Sequence, residues 1–478
     1  MKKSSVLSNV HIFNLKGLEI TTLKRSFIIF FCLMVAANIF GQQQDKKKIE
    51  QELLTKARQN IEKYRKGDAS ITFTDPQGKP LKNVKIELNQ TTQDFLFGNL
   101  CEEMFRPGIL PEDAKKYEER FKALFNFTEL NIKWLYYEPV QGKTEWLKFQ
   151  EKLDWCRQNG ITPKGHNIGW TGESGTPRWL MRLPNDMVND LYKARVYDLV
   201  GGFKNQVKMW DVVNEPATTV PWEKALQDTV LGASGNDDSE RYNIKGITVE
   251  ETVPWVEKSY KWAYEANPNG DFILNDFYQI ARPEIRERYY QLVKELQKRN
   301  TPVTGIGIQA HEPRQIWFSP VEVVATFDRL QELGLPLHIT EFTPQSSGLA
   351  ITGGWREGVW TEEAQAEYAE QFYTLAFAQP SMVSIHCWGF TDRTAWIPGG
   401  GFLDKNYNPK PVYIRLLKLI KEDWMTKNVV LTTDKNGHAT FRGFFGNYDL
   451  VITKPDGTKQ TLNLHLKEKE SGSWTFKL

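Results

Sequence analysis

Val207-Lys-Met-Trp-Asp-Val-Val-Asn-Glu-Pro216 reads as a buried strand: its middle is apolar, β-branched and aromatic, and Pro216 stops any ladder from continuing. A polar pair, Asn214 and Glu215, closes the run. A second run, Leu337-His-Ile-Thr-Glu-Phe342, also ends on a glutamate, Glu341. Working outward from these two, short apolar runs recur at 95–98, 125–132, 163–170, 272–277, 305–310 and 383–388, with helical periodicity between them, as at 256–266, 285–297 and 321–333. Strands alternating with helices predict an α/β chain closing into a (β/α)8 TIM barrel over residues 94–424. The polar residues gather at the strand ends: His166 and Trp170, Asn214 and Glu215, Asn275 and Asp276, Gln309 and His311, Glu341, and Trp388. In this architecture the active site is built from the C-terminal strand ends.

The flanks read differently. An apolar run from Phe27 to Ala37 follows Lys24 and Arg25 and leads to Gly41 and a polar Gln-Gln-Gln. It is shorter than the roughly 20 residues a spanning helix needs, so 1–41 is expected to be a signal peptide. The mature protein is then expected to be secreted, periplasmic or at the cell surface, with no membrane contact. Residues 42–68 are charged, with Ile49, Leu53, Leu54, Ala57 and Ile61 at helical spacing, and read as a helical linker. Residues 69–93 alternate around an Asp75-Pro-Gln-Gly-Lys turn and read as a small β lead-in packed on the barrel, and 425–478 as a small C-terminal β module. For that module, carbohydrate binding and a packing role both stand. With Cys32 in the export segment, Cys101, Cys156 and Cys387 remain, an odd number with no CxxC spacing, so neither a disulfide framework nor a metal or cofactor is expected.

Charge narrows the partners. With 61 Lys+Arg against 59 Asp+Glu, the formal charge of +2 creates no field that would collect nucleic acid. The 16 Trp and 17 Tyr offer flat apolar faces with polar handles, on which sugar rings stack, although a large barrel also buries many aromatics. The expected partner is not a polyanion, and the expected state is a monomer.

Hydrolysis of a glycosidic bond needs a proton for the leaving oxygen and a carboxylate facing the anomeric carbon. Glu215 and Glu341 each follow an apolar strand at the functional rim, where a surface charge has no reason to be. At this point the chain resembles glycoside hydrolase family 10, the endo-1,4-β-xylanase family. The segments carrying the resemblance are Trp210-Asp-Val-Val-Asn-Glu215, Ile339-Thr-Glu341, Gly165-His166 with Trp170, Gly307-Ile-Gln309-Ala-His311, Lys133-Trp134 with Glu138-Pro-Val-Gln-Gly142, and Trp388-Gly-Phe-Thr-Asp392 with Trp396. They fall in register over about residues 94–420.

The resemblance implies a polysaccharide partner and a retaining, double-displacement enzyme cutting internal β-1,4-xylosidic linkages, with Glu215 as acid/base and Glu341 as nucleophile. It implies that Asn214 bonds the 2-hydroxyl of the reacting sugar and that His311 contacts and orients Glu341. Gln309 and Asn275 would line the same floor. Glu129, Lys133 and His166 would hold glycone hydroxyls, and Trp170, Trp388 and Trp396 would wall the cleft. Four positions depart from the family pattern: Leu130 for a glycone-facing Asn, Thr171 for a second His, Phe277 for a Tyr, and Thr343 for an Asp paired to the histidine at 311. A decorated xylan or another β-1,4-glycan, a transglycosylase, and a non-catalytic polysaccharide-binding protein are the alternatives.

Overall fold

Alternating apolar residues decide which strands face which core. The structure, a computed structural model, describes residues 43–172, 174–219, 222, 248–311, 313–454, 456–470 and 472–478. The export segment expected over 1–41 lies outside them. Leu54–Leu478 forms one compact unit, and the described residues of the preceding unit, 43–53, are helical. No helix among the described residues is long and apolar enough to cross a membrane.

Strands are numbered in chain order: β1 Lys66–Thr74, β2 Lys85–Gln90, β3 Leu96–Asn99, β4 Phe127–Asn131, β5 Thr162–His166, β6 Met209–Asn214, β7 Asp271–Asp276, β8 Gly305–Ile308, β9 Leu337–Phe342, β10 Met382–Cys387, β11 Val429–Thr432, β12 His438–Phe444, β13 Gly446–Thr453, β14 Lys459–Leu466 and β15 Ser473–Lys477. Strands β3 to β10 pair in parallel, each with the next, and β10 returns to β3, closing the barrel. Buried on both faces, β6 and β9 have no exposed position, which is why they read as continuous apolar runs.

A helix follows each barrel strand: Pro111–Leu124, Trp146–Asn159, Asn185–Val196, Val249–Ala266, Pro283–Lys298, Pro320–Gln331, Glu362–Phe377 and Pro411–Lys418. Four of them begin with proline, whose fixed φ suits the first turn and whose missing N–H is not needed there. Thr248 and Glu251 form a reciprocal capping box at the start of Val249–Ala266. In Pro283–Lys298 the stripe Ile285, Tyr289, Leu292, Val293 and Leu296 is buried, the spacing that turns one helical face to the barrel.

Two expectations change. The helical linker ends at 64 and β1 starts at Lys66, so the helix is shorter than 42–68. The lead-in and the C-terminal strands pair with each other: one sheet is ordered β12-β1-β15 and the other β11-β2-β13-β14. Ile71 and Phe73 of β1, Ile86 and Leu88 of β2, and Tyr448, Leu450 and Ile452 of β13 share one apolar core. Two strands alone leave one apolar face and two open edges, and the end of the chain supplies the cover. Arg65 ties this sandwich to the barrel, its guanidinium donating to Phe377 O at 2.6 Å and to Met382 O, at the start of β10, at 2.8 Å. The attachment is therefore at the face opposite the C-terminal strand ends.

Candidate active site

The barrel brings Glu215 and Glu341 together at the ends of β6 and β9, both nearly buried, at 7% and 5% exposure. Glu215 has φ of +61°, a left-handed conformation that costs a non-glycine residue energy and persists only when its surroundings enforce it. Here its N–H donates to Asn275 O at 2.7 Å, and its carbonyl accepts from Thr219 N at 2.8 Å. Asp276 braces the same turn, accepting from Ala217 N at 2.7 Å and Thr218 Oγ1 at 2.8 Å. Burial pushes the Asp276 carboxyl up to about 7.

Neutral amides connect the two glutamates. Asn214 Nδ2 donates to Glu215 Oε1 at 3.1 Å, and Asn275 Nδ2 donates both to Asn214 Oδ1 at 2.8 Å and to Glu341 Oε1 at 2.9 Å. Thr340 Oγ1 donates to Asn275 Oδ1 at 2.6 Å and fixes the amide's orientation. Gly307 makes room for it, since a Cβ there would lie 2.5 Å from Asn275 Oδ1. Glu215 also accepts from Trp170 Nε1 at 2.7 Å and from Gln309 Nε2 at 3.1 Å. Trp170 and Gln309 therefore hold Glu215 itself as well as lining the cleft.

Below this layer lies a charged floor, two of whose members, Lys164 and Asp211, the sequence did not single out. Lys164 Nζ is 2.8 Å from Glu129 Oε1 and 2.8 Å from Asp211 Oδ2, and all three side chains are essentially inaccessible. His166 Nδ1 meets the same Asp211 oxygen at 2.8 Å. Asp211 and Asn214 are an odd number of residues apart, so strict alternation would point them to opposite faces. The register of β6 against β7 shifts between Asp211 and Val213, and both side chains enter the barrel. Gly165 permits the tight packing of β5 on β6, since a Cβ there would sit 2.2 Å from the Trp210 ring.

Glu129, expected to hold sugar hydroxyls, is instead a buried partner of Lys164, one layer beneath the rim. Glu129, His166 and Asp211 converge as metal ligands do, but the Lys164 ammonium already supplies the positive charge to both carboxylates. His311 lies beside Glu341 without a side-chain hydrogen bond to its carboxylate. Its Nε2 is 3.8 Å from Glu341 Oε2, beyond hydrogen-bond distance, and Asn275 is the donor that Glu341 has. Burial, aided by Arg314 and Lys133, pushes His311 down to about 3, so it adds no positive charge beside Glu341.

Lys133 supplies that charge. Its Nζ lies 4.8 Å from the Trp170 ring centroid and 5.4 Å from that of Trp388, a cation held between two aromatic walls. Burial raises both catalytic-site carboxyls, Glu341 to about 8, while Lys133 opposes the rise. Trp388 packs against His166 with ring centroids 4.8 Å apart, and the half-exposed Trp396 lies over His311 at 4.9 Å, with the Arg314 guanidinium on its ring. Lys410 pins the loop carrying Trp396, with Asp392 Oδ2 at 3.0 Å and the carbonyls of Gly399 and Gly401 at 3.1 and 2.9 Å. The four departures, Leu130, Thr171, Phe277 and Thr343, are all buried. Thr343 Oγ1 donates back to Glu341 O at 3.0 Å.

Lys164 and Asp211 were the principal omissions. Their signal was present as ionisable residues in the middle of barrel-strand runs, where burial demands a partner.

A closed (β/α)8 barrel with two buried glutamates at the ends of its fourth and seventh strands is an arrangement that suits a glycoside hydrolase. The sequence profile of Glycosyl hydrolase family 10 matches residues 91–419, and the chain belongs to that family. It is 29% identical over 324 residues to Endo-1,4-beta-xylanase B of Thermotoga neapolitana, covering 65% of this chain and 85% of that protein. It is 28% identical over 321 residues to Beta-1,4-xylanase of Dictyoglomus thermophilum, covering 63% and 84%. The crystal structure of native xylanase 10B from Thermotoga maritima superposes with a TM-score of 0.53 at 25% identity, over 69% of this chain and 96% of that one.

Proposed function

We propose that this protein is a retaining endo-β-1,4-xylanase, with Glu215 as acid/base and Glu341 as nucleophile. The observation that carries the reading is the amide bridge through Asn214 and Asn275, which holds two buried carboxyls in one cleft, with no Lys or Arg among the described residues paired to either. In the first step Glu215 gives its proton to the leaving glycosidic oxygen while a Glu341 oxygen bonds the anomeric carbon. In the second, Glu215 takes a proton from water, which displaces Glu341 with a second inversion and net retention.

The electrostatics support this cycle. Two mutually repelling buried carboxyls hold one proton between them near neutral pH. In the free protein burial, followed by the charge of Glu215, holds the Glu341 carboxyl up at about 8, with Lys133 the largest influence opposing that rise, so the shared proton must pass to Glu215 before Glu341 attacks. Esterification of Glu341 then removes its charge, and Glu215 becomes free to ionise. Xylan-type substrates are favoured by the named relatives, and export is proposed from the apolar run at 27–37, to be checked by N-terminal sequencing of secreted protein.

The test is incubation with linear β-1,4-xylan and other β-1,4-glycans, following the anomeric configuration of the first product by NMR. Initial β-product from internal cleavage of xylan supports the assignment. An α-product would overturn the retaining mechanism, and binding without turnover on any glycan would leave a polysaccharide-binding protein.

A further inference from the structure

The charged floor beneath the two glutamates has a role that packing alone does not explain. Asp211 Oδ2 receives both Lys164 Nζ and His166 Nδ1, each at 2.8 Å, and Lys164 also reaches Glu129 Oε1 at 2.8 Å. A carboxylate only accepts, so the His166 proton sits on Nδ1. At the other side of the ring, Asn167 Nδ2 faces His166 Nε2 at 3.3 Å, and an amide NH2 donates, so Nε2 presents a lone pair. The imidazole is thus bonded as its neutral tautomer from both sides.

Every element packed around the ring contributes a charge or a dipole. Asp211 comes from β6, Glu129 from β4, Lys133 from the turn after β4, Glu341 Oε1 from β9 at 3.9 Å from Nε2, and His386 and Trp388 from β10 and its end. His386 is itself held neutral, accepting from Glu129 N at 3.0 Å and paired through Nδ1 with Thr340 O at 3.0 Å. The one full positive charge bonded to Asp211 is Lys164, on the same strand as His166. Without that ammonium, the buried Asp211 carboxylate would draw its compensating proton onto the nearest base, His166.

We propose that Lys164 is a positioning residue that keeps His166 a neutral, Nε2-accepting imidazole. This orientation has a chemical consequence, and it rests on the glycosidase reading above. A neutral Nε2 accepts from Asn167 Nδ2, donates nothing to Glu341, and leaves the neighbouring carboxylate oxygen free to attack. An imidazolium would instead aim an N–H at Glu341 from 3.9 Å away and hold the nucleophile as an ion pair.

The experiment uses full-length protein with labelled histidine, the His166 signal being assigned by its loss in His166→Gln. In the wild type, the His166 imidazole signal is expected to stay flat between about pH 5 and 8. Lys164→Met should bring a His166 titration into that window and lower kcat/KM on an aryl β-xylobioside roughly 10- to 100-fold. Lys164→Arg should restore both. A purely structural role would lower the melting temperature without moving the imidazole titration. A wild-type His166 that titrates in this window, or a folded Lys164→Met protein whose His166 stays flat, would overturn the proposal. Wild-type protein that turns over no glycoside but shows the expected titrations would refute the glycosidase reading and leave the tautomer assignment standing.

Discussion

Two pairs of buried acids lie in successive layers of the same barrel, and they are treated in opposite ways. The lower pair, Glu129 and Asp211, is bridged by Lys164 through two contacts of 2.8 Å. The upper pair, Glu215 and Glu341, is bridged by the neutral amides of Asn214 and Asn275, with Lys133 near but not bonded to either. A lysine clamp fixes the charge, because removing a proton donor or acceptor there leaves an uncompensated ion in the interior. Amide bonds are indifferent enough to tolerate either protonation state. In these two pairs the ion-bridged acids are locked in one charge state, and the amide-bridged acids are left able to exchange a proton.

The comparison can be tested from the largest effect down. Glu341→Gln should cost on the order of 10^5-fold in kcat/KM on xylan or more, since the nucleophile itself is lost, as measured by product release with folding checked by circular dichroism. If that variant stays active, the upper pair is not the chemical one. Asn275→Ala cuts the amide bridge at its centre and should reduce kcat/KM about 10- to 100-fold. Lys133→Met withdraws the cation that opposes the rise at Glu341, so the acidic limb of the kcat/KM profile should move to higher pH by about one unit. An unmoved limb would mean that the amides alone set the upper pair.

The smallest effect is on stability. The Glu341 carboxyl is raised to about 8 in the fold from 4.5, so the folded protein retains a proton that the unfolded chain loses between those values. Wild-type stability must then fall as pH rises through that window. Glu341→Gln, which cannot ionise, should melt with the wild type near pH 4.5 and about 3 °C above it at pH 8. Equal melting at both values would show that the nucleophile's burial carries no such cost.

Much of the barrel was legible because its strands are buried on both faces and its helices on one, leaving two distinct periods in the sequence. The polar ends of those runs identified Glu215, Glu341, Asn214, Asn275 and Gln309, all of which meet in one network. Strand ends were less legible: the run 163–170 is a strand only as far as His166, after which the backbone leaves the sheet while Ile168 and Gly169 still bond to Asp211 O and Val212 O. The sandwich was read as two separate pieces because alternation reveals that a strand has an apolar face and says nothing about which distant strand covers it.

The sequence alone determined the fold class, the two glutamates and most of the residues around them, since burial pattern and strand-end chemistry are local properties of a chain. Which polar residue touches which was decided only in three dimensions. The shift in β6 that turns Asp211 inward, the diversion of Glu129 to Lys164, and the gap of 3.8 Å between His311 and Glu341 all depend on strands far apart in sequence meeting at a common depth. Side-chain partnership varies over a few tenths of an ångström, and only the closed barrel sets distances on that scale.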